Sequence, residues 1–355
     1  MCLLERTEMS LEQIGADTRV RELFRSHAPA GTELGRVSFA SHEQYRVLLE
    51  TAECEAAATG RLRWEDALPA VGDWVAARQV DPHIALIESV LPRRTQFSRR
   101  VAGRASAEQV ISANIDLAVI VCGLDDDFNL RRIERYLVLA RQGGVEPVIA
   151  LNKADLCSSP GEPVDAVTRI AGGARIVVLS AHENVQPLAA LVRGQTVAFL
   201  GSSGVGKSTI ANALLGENRQ ATSEVRSADS RGRHTTTTRM LLPLPGGGAI
   251  IDNPGMRELQ LWASEESLND TFEDISAFAQ RCRFADCTHD EEPGCAVREA
   301  LEASCLDPSR WQSYQKLQRE LRHQFLQQDA QARKEETRRW KAISKSFRHH
   351  PKYRR

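Results

Sequence analysis

GSSGVGKST, at residues 201–209, decides the fold of the central part of the chain. It satisfies the pattern G-x-x-x-x-G-K-[ST] between a strand-like segment, TVAFLG, and a helix-like segment, TIANALLG, which is the context that the pattern requires. Glycines allow backbone N–H groups to surround phosphate oxygens, while Lys207 reaches the β- and γ-phosphates and Ser208 binds Mg²⁺. We therefore expect a nucleoside triphosphate with Mg²⁺ at this loop. The candidate contacts are Gly201, Ser202, Ser203, Gly204, Val205, Gly206, Lys207, Ser208 and Thr209.

NKAD, at residues 152–155, indicates which base is bound. A carboxylate only accepts hydrogen bonds, so Asp155 matches the two donors on the edge of guanine, which adenine lacks. Asn152 and Lys153 complete the pattern, which by itself is equally typical of an ordinary loop. Ser180 and Ala181 end the strand-like segment RIVVLS and are placed to offer a backbone N–H to guanine O6. Together with the phosphate loop, these residues predict GTP.

Two further segments are candidates for sensing the γ-phosphate. IIDNPG supplies Asp252 for a water-mediated Mg²⁺ contact and Gly255 for a backbone contact to the γ-phosphate. RGRHTTTTR, at 231–239, supplies Thr235 to Thr238, of which Thr236 is the candidate to complete the Mg²⁺ shell; such a loop is ordered by the γ-phosphate. A plain surface turn rich in Ser and Thr remains the alternative for this stretch.

The residue that orients the attacking water is not at its usual place. Many small GTPases have a glutamine directly after D-x-x-G, but this chain has Met256, which cannot position water. His234 is our candidate for that role, with anchoring of the loop as the alternative. Arg231 or Arg233 would serve as an arginine finger in cis, although contact with RNA or solvent is favoured for both.

The order of these motifs is inverted relative to an ordinary guanine-nucleotide switch. There the phosphate loop comes first, whereas here NKAD and Ser-Ala precede it and the threonine segment and D-x-x-G follow it. Cutting the usual order before N-K-x-D and joining its ends gives this order. Each loop still follows its own strand, so a circular permutation leaves the pocket at the carboxyl edge of the sheet unchanged.

Strand-like and helix-like segments surround these motifs in two arrangements. From NIDLAVIVCG, at 114–123, strands alternate with helical patterns, which predicts a doubly wound α/β domain. Before it, LGRVSFA, QYRVLLE, VGDWVAAR and HIALIESV are short β-type runs without a long helix, which indicates a small β-barrel. We expect residues 1–30 to be a loose lead-in with at most one short helix. One helix face is expected to carry Trp311, Tyr314, Leu317, Leu321 and Phe325.

A cluster of cysteines follows the α/β region. Cys282, Cys287, His289 and Cys295 form C-x₄-C-x-H-x₅-C within fourteen residues. Three thiolates and one imidazole make a closed tetrahedral set for a structural Zn²⁺ ion. Buried free cysteines beside a surface histidine are the alternative.

Composition and charge limit the class of protein. A chain of 355 residues with 42% hydrophobic residues fits several globular domains;, and no apolar run is long enough for a membrane span. Residues 331–355 contain ten Lys or Arg and two Glu, whereas the remainder has 36 bases and 45 acids. Such a basic tail favours a polyanionic partner, with a solvated disordered end as the alternative. We expect a cytoplasmic monomer that does not contact membranes.

Five segments resemble the circularly permuted GTPases of bacterial small-subunit ribosome biogenesis, the RsgA or YjeQ family, and they have that family's order: SANID, GSSGVGKST, GRHTTTT, DNPGMRE and CRFADCTHDEEPGCAV. The resemblance covers about residues 33–325, and HENVQPL after Ser-Ala departs from the Thr-Gly pair that the family often has. It implies an OB-fold, a permuted GTPase domain and a zinc-binding domain, with GTP hydrolysis stimulated by the small ribosomal subunit. The expected divisions are an N-terminal extension (1–32), an OB-fold RNA-binding domain (33–103), a circularly permuted P-loop GTPase domain (104–265), a helical zinc-binding domain (266–325) and a basic tail (326–355).

These observations predict a GTP-hydrolysing assembly factor of the small ribosomal subunit, with GTP or GDP and Mg²⁺ at the loops and one structural Zn²⁺. The barrel, PRRTQFSRR at 92–100 and the tail are candidate surfaces for rRNA;, although PRRTQFSRR is equally typical of a linker. Two alternatives are an RNA-binding scaffold with a static nucleotide domain and a P-loop kinase of small molecules. A kinase would explain neither N-K-x-D nor the cysteine cluster.

Overall fold

The computed structural model describes residues 10–41, 44–100, 108–216, 239–252 and 264–328. The predictions for Arg231, Arg233, His234, Thr235 to Thr238, Gly255, Met256 and the basic tail lie outside the described residues. Among the helices that are described, none combines the length and the apolar character that a membrane span requires.

The first five strands form a closed barrel. They are β1 (Glu33–Ser41), β2 (Gln44–Leu48), β3 (Glu53–Ala58), β4 (Trp74–Asp81) and β5 (Ile84–Val90), with α2 (Gly60–Trp64) between β3 and β4. They pair in the order β1-β2-β3-β5-β4, and β4 returns to β1. All of these pairs are antiparallel except β3 with β5. This five-stranded arrangement is an OB-fold, as the sequence predicts.

The central domain is a doubly wound sheet. Its strands are β8 (Leu117–Gly123), β9 (Glu146–Asn152), β10 (Arg175–Val178), β11 (Thr196–Leu200), β12 (Arg239–Pro243) and β13 (Ala249–Asp252). Its helices are α3 (Leu130–Gln142), α4 (Gly161–Ile170), α5 (Gln186–Val192) and α6 (Lys207–Leu215). Alternate residues of the fully buried strand β8 belong to two different core clusters, Ile120 to one and Val119 to the other. Such alternation places a helical layer on each face.

The sheet order explains how a permuted chain keeps one nucleotide site. The order is β10-β9-β8-β11-β13-β12, and only β12 runs antiparallel. The phosphate loop therefore follows a central strand, β11. NKAD and Ser-Ala follow β9 and β10 on one side of it, and Asp252 ends β13 on the other side. All of these ends lie on the carboxyl edge, where ligands bind in such sheets.

The barrel continues into the central sheet through backbone hydrogen bonds. β1 pairs with β12, with Phe39 opposite Met240 and Ala40 opposite Arg239, so one sheet runs through both domains. A hairpin of β6 (Gln96–Arg100) and β7 (Glu108–Ala113) stands beside this junction. The expected domain boundary at 103/104 falls between these two paired strands.

Residues 10–30 contain the one short helix that we allow for, but they pack more closely than the loose lead-in that we expect. Leu11 and Ile14 lie in a 3₁₀ turn, are each only 1% exposed and belong to the main core. Helix α1 (Thr18–His27) follows, capped by the side chain of Asp17. Two buried apolar residues in one turn are too few to produce a periodic pattern in the sequence.

PRRTQFSRR also differs from a plain RNA-facing segment. Arg93 donates two hydrogen bonds to the buried Asp73, at 2.8 and 2.7 Å, and Arg94 pairs with Asp116. The middle of the segment forms β6. Arg93 therefore holds the segment to the barrel, and Arg94 links it to the central domain.

Residues 264–328, which we call the cysteine lobe, are helical. The helices are α7 (Glu265–Thr271), α8 (Glu273–Ala279), α9 (Ala296–Glu302) and α10 (Pro308–Gln328). Trp311, Leu317 and Leu321 are buried as predicted, but Phe325 is 56% exposed because α10 extends beyond the body that it packs against. The lobe docks on α3, where Arg135 pairs with Glu320 of α10 at 2.5 Å.

Candidate functional site

The phosphate loop has the backbone that its glycines predict. Gly201 has φ of 147°, and a Cβ there would lie 2.5 Å from the carbonyl oxygen of Val121. Gly206 has φ of 98°, and a Cβ there would lie 2.2 Å from Nδ2 of Asn152. No other residue type fits these two positions, because both the left-handed region and the close approach exclude a side chain.

The remaining loop residues divide between ligand-facing and structural positions. Lys207 begins α6, and its ammonium group donates to the carbonyl oxygen of Gly201 at 2.8 Å and to that of Ser202. Ser203 and Gly204 are exposed, while Ser208 and Thr209 are half-buried in the first turn of α6. Val205 is 1% exposed and packs in the core, so only its backbone faces the loop.

Asn152 joins the two parts of the site that the sequence separates. Its side chain is 2% exposed, and Nδ2 donates to the carbonyl oxygen of Val205 in the phosphate loop at 2.9 Å. Its Oδ1 accepts from the backbone N–H of Ala181 at 2.9 Å. One side chain therefore connects three loops: the predicted base-reading loop (152–155), the Ser-Ala loop (180–181) and the phosphate loop (201–209). The backbone N–H of Ala181, which we assign to guanine O6, donates to Oδ1 of Asn152 in this structure.

The rest of the base-reading loop is exposed and conformationally constrained. Lys153 has φ of 63°, which is uncommon for a residue other than glycine and is found most often at functional sites. Asp155 follows in a short 3₁₀ turn and is exposed, as a contact with an incoming base requires. Ser180 is buried, and its hydroxyl has no hydrogen-bond partner among the described residues.

Two acidic residues that the sequence analysis missed lie between these loops. Asp125 and Asp127 belong to the β8–α3 loop, residues 124–129, and contact Lys153 and Ser202 respectively. Hydrogen bonds from Lys153 hold the pKa of Asp125 below its usual value, and hydrogen bonds from Arg132 and Ser202 do the same for Asp127. The sequence feature that could have identified them is the triplet DDD, at residues 125–127, which follows a predicted buried strand.

The four predicted metal ligands converge. The ligand atoms of Cys282, Cys287, His289 and Cys295 all lie within 4.8 Å of one another. Nδ1 of His289 is 3.5 Å from Sγ of Cys282 and 3.4 Å from Sγ of Cys295, and these two sulfur atoms are 4.0 Å apart. A tetrahedral ion with bonds of about 2.3 Å to sulfur and about 2.0 Å to nitrogen separates its ligands by about 3.5 to 3.8 Å. The spacing of the cluster is therefore compatible with zinc, and Nδ1 is the nitrogen of His289 that faces two of the sulfur atoms.

The surroundings of the cluster shift the pKa values of its thiols in opposite directions: burial raises the pKa of Cys287 to about 11, whereas the pKa of Cys282 is lowered. Burial raises the pKa of Cys282, but hydrogen bonds from the backbone N–H groups of Val297 and Ala296 at the start of α9 outweigh it, so the net shift is downward. Thiolates, not thiols, bind metal. The indole of Trp311 meets the ring of His289 edge-on, with centroids 5.8 Å apart, which fixes the imidazole orientation.

Comparisons with known proteins agree with this geometry. The family model for the RsgA GTPase matches residues 90–262. A model for ABC transporters matches residues 189–337; this range contains the phosphate loop, which many nucleotide-binding families have, but not NKAD.

Two relatives illustrate the extent of the similarity, and both carry the name small ribosomal subunit biogenesis GTPase RsgA. The protein from Opitutus terrae is 48% identical over 353 residues, with 94% of this chain and 96% of the relative covered. The protein from Xylella fastidiosa strain 9a5c is 52% identical over 255 residues, with 71% and 73% covered.

Solved structures are similar over most of the chain. YjeQ from Thermotoga maritima is 27% identical with a TM-score of 0.62, covering 82% of this chain and 98% of its own. YloQ, described as a circularly permuted GTPase, is 24% identical with a TM-score of 0.59 and covers 84% and 97%; at this identity the likeness concerns the fold.

Proposed function

The chain belongs to the RsgA GTPase family, and on this premise we propose that it is a GTP hydrolase that binds the immature small ribosomal subunit and its rRNA and acts late in subunit maturation. The observation that carries the proposal is the side chain of Asn152, which joins the base-reading loop to the phosphate loop. A scaffold that never used a nucleotide would have no need for this connection. We also propose that the protein acts as a cytoplasmic monomer.

We assign the nucleotide contacts as follows. Asp155 reads the guanine edge, Ala181 lies beside O6, and residues 201–209 hold the phosphates. Ser208 and, through water, Asp252 would hold Mg²⁺, which would neutralise charge on the phosphate oxygens. Thr236 and Gly255 are assigned to the γ-phosphate side. Asp252 ends β13 at the carboxyl edge, which supports its part of the assignment.

The cysteine cluster is proposed to hold one structural zinc ion through Cys282, Cys287, His289 and Cys295. Four protein ligands leave no open position for chemistry. The ion would instead hold the loop between α8 and α9, which has few buried apolar residues of its own. The lobe would thereby keep a fixed shape for contact with the subunit.

The experiment that tests the function compares GTP turnover by the full-length protein with and without purified small ribosomal subunits. We expect slow turnover alone and strong stimulation by subunits. In the same assay, Asp155→Asn should hydrolyse GTP more slowly and xanthosine triphosphate faster than wild type. The reason is that the amide can donate to the O2 atom that replaces the amine of guanine. If subunits do not increase the rate of GTP turnover, the scaffold alternative is favoured. If Asp155→Asn leaves the preference for GTP over xanthosine triphosphate unchanged, Asp155 does not contact guanine.

His234 is proposed to orient the attacking water. His234→Ala should retain GTP binding, measured by titration with a fluorescent analogue, and lose the stimulated rate. Equal stimulated rates in mutant and wild type would assign His234 to anchoring the loop instead.

A further inference from the structure

We propose that Asp125 and Asp127 are positioning residues for guanine-nucleotide binding: Asp127 holds the phosphate loop through Ser202, and Asp125 holds the base-reading loop through Lys153. This inference rests on the proposed nucleotide site and adds to it a pair of residues that touch the two loops and not the ligand. Neither acid belongs to a motif of the nucleotide site.

The place of the β8–α3 loop in the sheet gives the reason. Strand β8 lies between β9, which ends in the base-reading loop, and β11, which ends in the phosphate loop. Neighbouring strands are about 4.8 Å apart, so these two loops start about 10 Å from each other. A loop that leaves β8 at the same edge is within side-chain reach of both.

Asp127 makes the contact on the phosphate side. Its Oδ2 accepts from the hydroxyl of Ser202 and, at 2.6 Å, from Arg132 in the first turn of α3. The carbonyl oxygen of Ser202 in turn accepts from Lys207. Asp127 therefore fixes the residue whose backbone holds the phosphate-binding lysine, while Arg132 compensates its negative charge.

Asp125 makes the contact on the base side. Its Oδ2 accepts from Nζ of Lys153 at 2.6 Å, and its Oδ1 accepts from the backbone N–H of Asp127 at 3.2 Å. A Cβ at Gly123 would lie 2.4 Å from Oδ1 of Asp125, so a larger residue there would displace this carboxylate. The ion pair holds Lys153, whose left-handed backbone places Asp155.

The charges around Asp125 and Asp127 distinguish a positioning role from a direct electrostatic effect on the ligand. An uncompensated carboxylate beside a polyphosphate would repel it, and its removal would strengthen binding. Each of these carboxylates is instead paired with a cation and holds a loop. Its removal should therefore weaken binding, and should weaken GDP and GTP alike, because both loops contact parts that the two nucleotides share.

The test is titration of the full-length protein with fluorescent GDP and a fluorescent non-hydrolysable GTP analogue. Asp127→Ala, Asp125→Ala and Ser202→Ala should each bind both nucleotides about tenfold more weakly, the lower end of the effect of a charge-assisted hydrogen bond. The double variant Asp127→Ala/Ser202→Ala should bind no more weakly than either single variant, since coupled partners are not additive. Asp127→Asn, which can still accept from Ser202, should recover part of the loss.

The neighbouring Asp126, which is exposed, supplies the matched control, and Asp126→Ala should bind within about twofold of wild type. Steady-state kinetics should show a raised KM with kcat nearly unchanged, the sign of lost uniform binding. Tighter binding by Asp127→Ala, additive losses in the double variant, or losses equal to that of Asp126→Ala would overturn the inference. Failure of wild type to bind either nucleotide would instead overturn the proposed function, so the two failures are distinguishable.

Discussion

Arg36 and Arg310 occupy comparable positions at the two junctions of the central domain. Each is almost completely buried, and each stacks over an aromatic ring, Arg36 over Trp74 at 4.8 Å and Arg310 over Phe272 at 4.7 Å. Their hydrogen-bond acceptors differ in kind. Arg36 donates to three backbone carbonyl oxygens, whereas Arg310 donates to two carboxylates and one carbonyl.

The acceptors of Arg36 come from three parts of the chain: Ile14 in the N-terminal turn, Gly72 in the barrel and Asn114 at the entrance to the central domain. Burial lowers the pKa of Arg36 to about 9, and the charge of Asp73 offsets this only in part. The side chain is still a cation at neutral pH. Three carbonyl oxygens from turns and loops that meet at this junction are thus enough to hold it.

The acceptors of Arg310 are Glu134 on α3, Asp274 on α8 and the carbonyl oxygen of Thr271. Burial would lower the pKa of Arg310, but the hydrogen bonds and charges of Asp274 and Glu134 raise it overall. No strand pairing joins the described part of the cysteine lobe to the sheet. Among the described residues the lobe is therefore held by side chains, whereas the barrel has strand pairing in addition to side chains such as Arg36 and Arg94. The two domains should thus separate from the central domain at very different cost.

Loss of the metal should produce the largest difference in stability between the cysteine lobe and the barrel. Structural zinc contributes about 10 to 16 kcal/mol in small zinc peptides, so chelation or Cys287→Ser should unfold the cysteine lobe and leave the barrel and sheet folded. Hydrogen exchange should show lost protection in α9 and unchanged protection in β1 and β8. Cys305→Ser, at an exposed cysteine outside the cluster, is the control. Purified protein without stoichiometric zinc, or unchanged melting of Cys287→Ser, would contradict the assignment.

Arg310→Leu should have the next largest effect. It leaves Glu134, whose side chain is 0% exposed, with Arg131 as its remaining cationic partner, and removal of one partner from a buried pair costs about 3 to 5 kcal/mol. Urea unfolding followed by a signal from the lobe should report this loss. Adding Glu134→Leu should restore part of it, because no buried carboxylate then remains. A further loss in the double variant would show that Arg310 does not stabilise the docked lobe through Glu134.

Arg36→Leu should have the smallest effect of the three. It leaves the neutral carbonyl oxygens of Ile14 and Asn114 without this donor, at a cost of about 1 to 3 kcal/mol each;. Gly72 keeps the side-chain amide of Asn114 as a donor, and the strand pairing of β1 with β4 and β12 remains. The unfolding midpoint should fall modestly, and proteolysis should become faster near Ile14. Arg19→Leu, at an exposed arginine of α1, serves as the control. A loss larger than that of Arg310→Leu would reverse the comparison.

The strands with continuous apolar runs were predictable, and β8, β9, β11 and β13 lie where the sequence indicates. Strand β3 was not, because ECEAAA buries only Cys54, Ala56 and Ala58 on one face, and alanine and glutamate have weak strand preference. The β6–β7 hairpin was missed for a similar reason, because polar and basic residues occupy many of its positions. Strand β12, RMLLP, was missed because it is only five residues long and ends in proline;.

For the candidate site, the sequence alone determined which residues are candidates to bind phosphate, guanine and metal, because glycine, lysine, carboxylate and thiolate chemistry is local and has a fixed spacing. It also determined that the motif order is permuted. Only the tertiary structure decided what holds those residues together. Asn152, Asp125, Asp127, Arg36 and Arg310 act on partners far away in the chain. Such contacts depend on which strands and helices become neighbours, and spacing along the chain does not encode that.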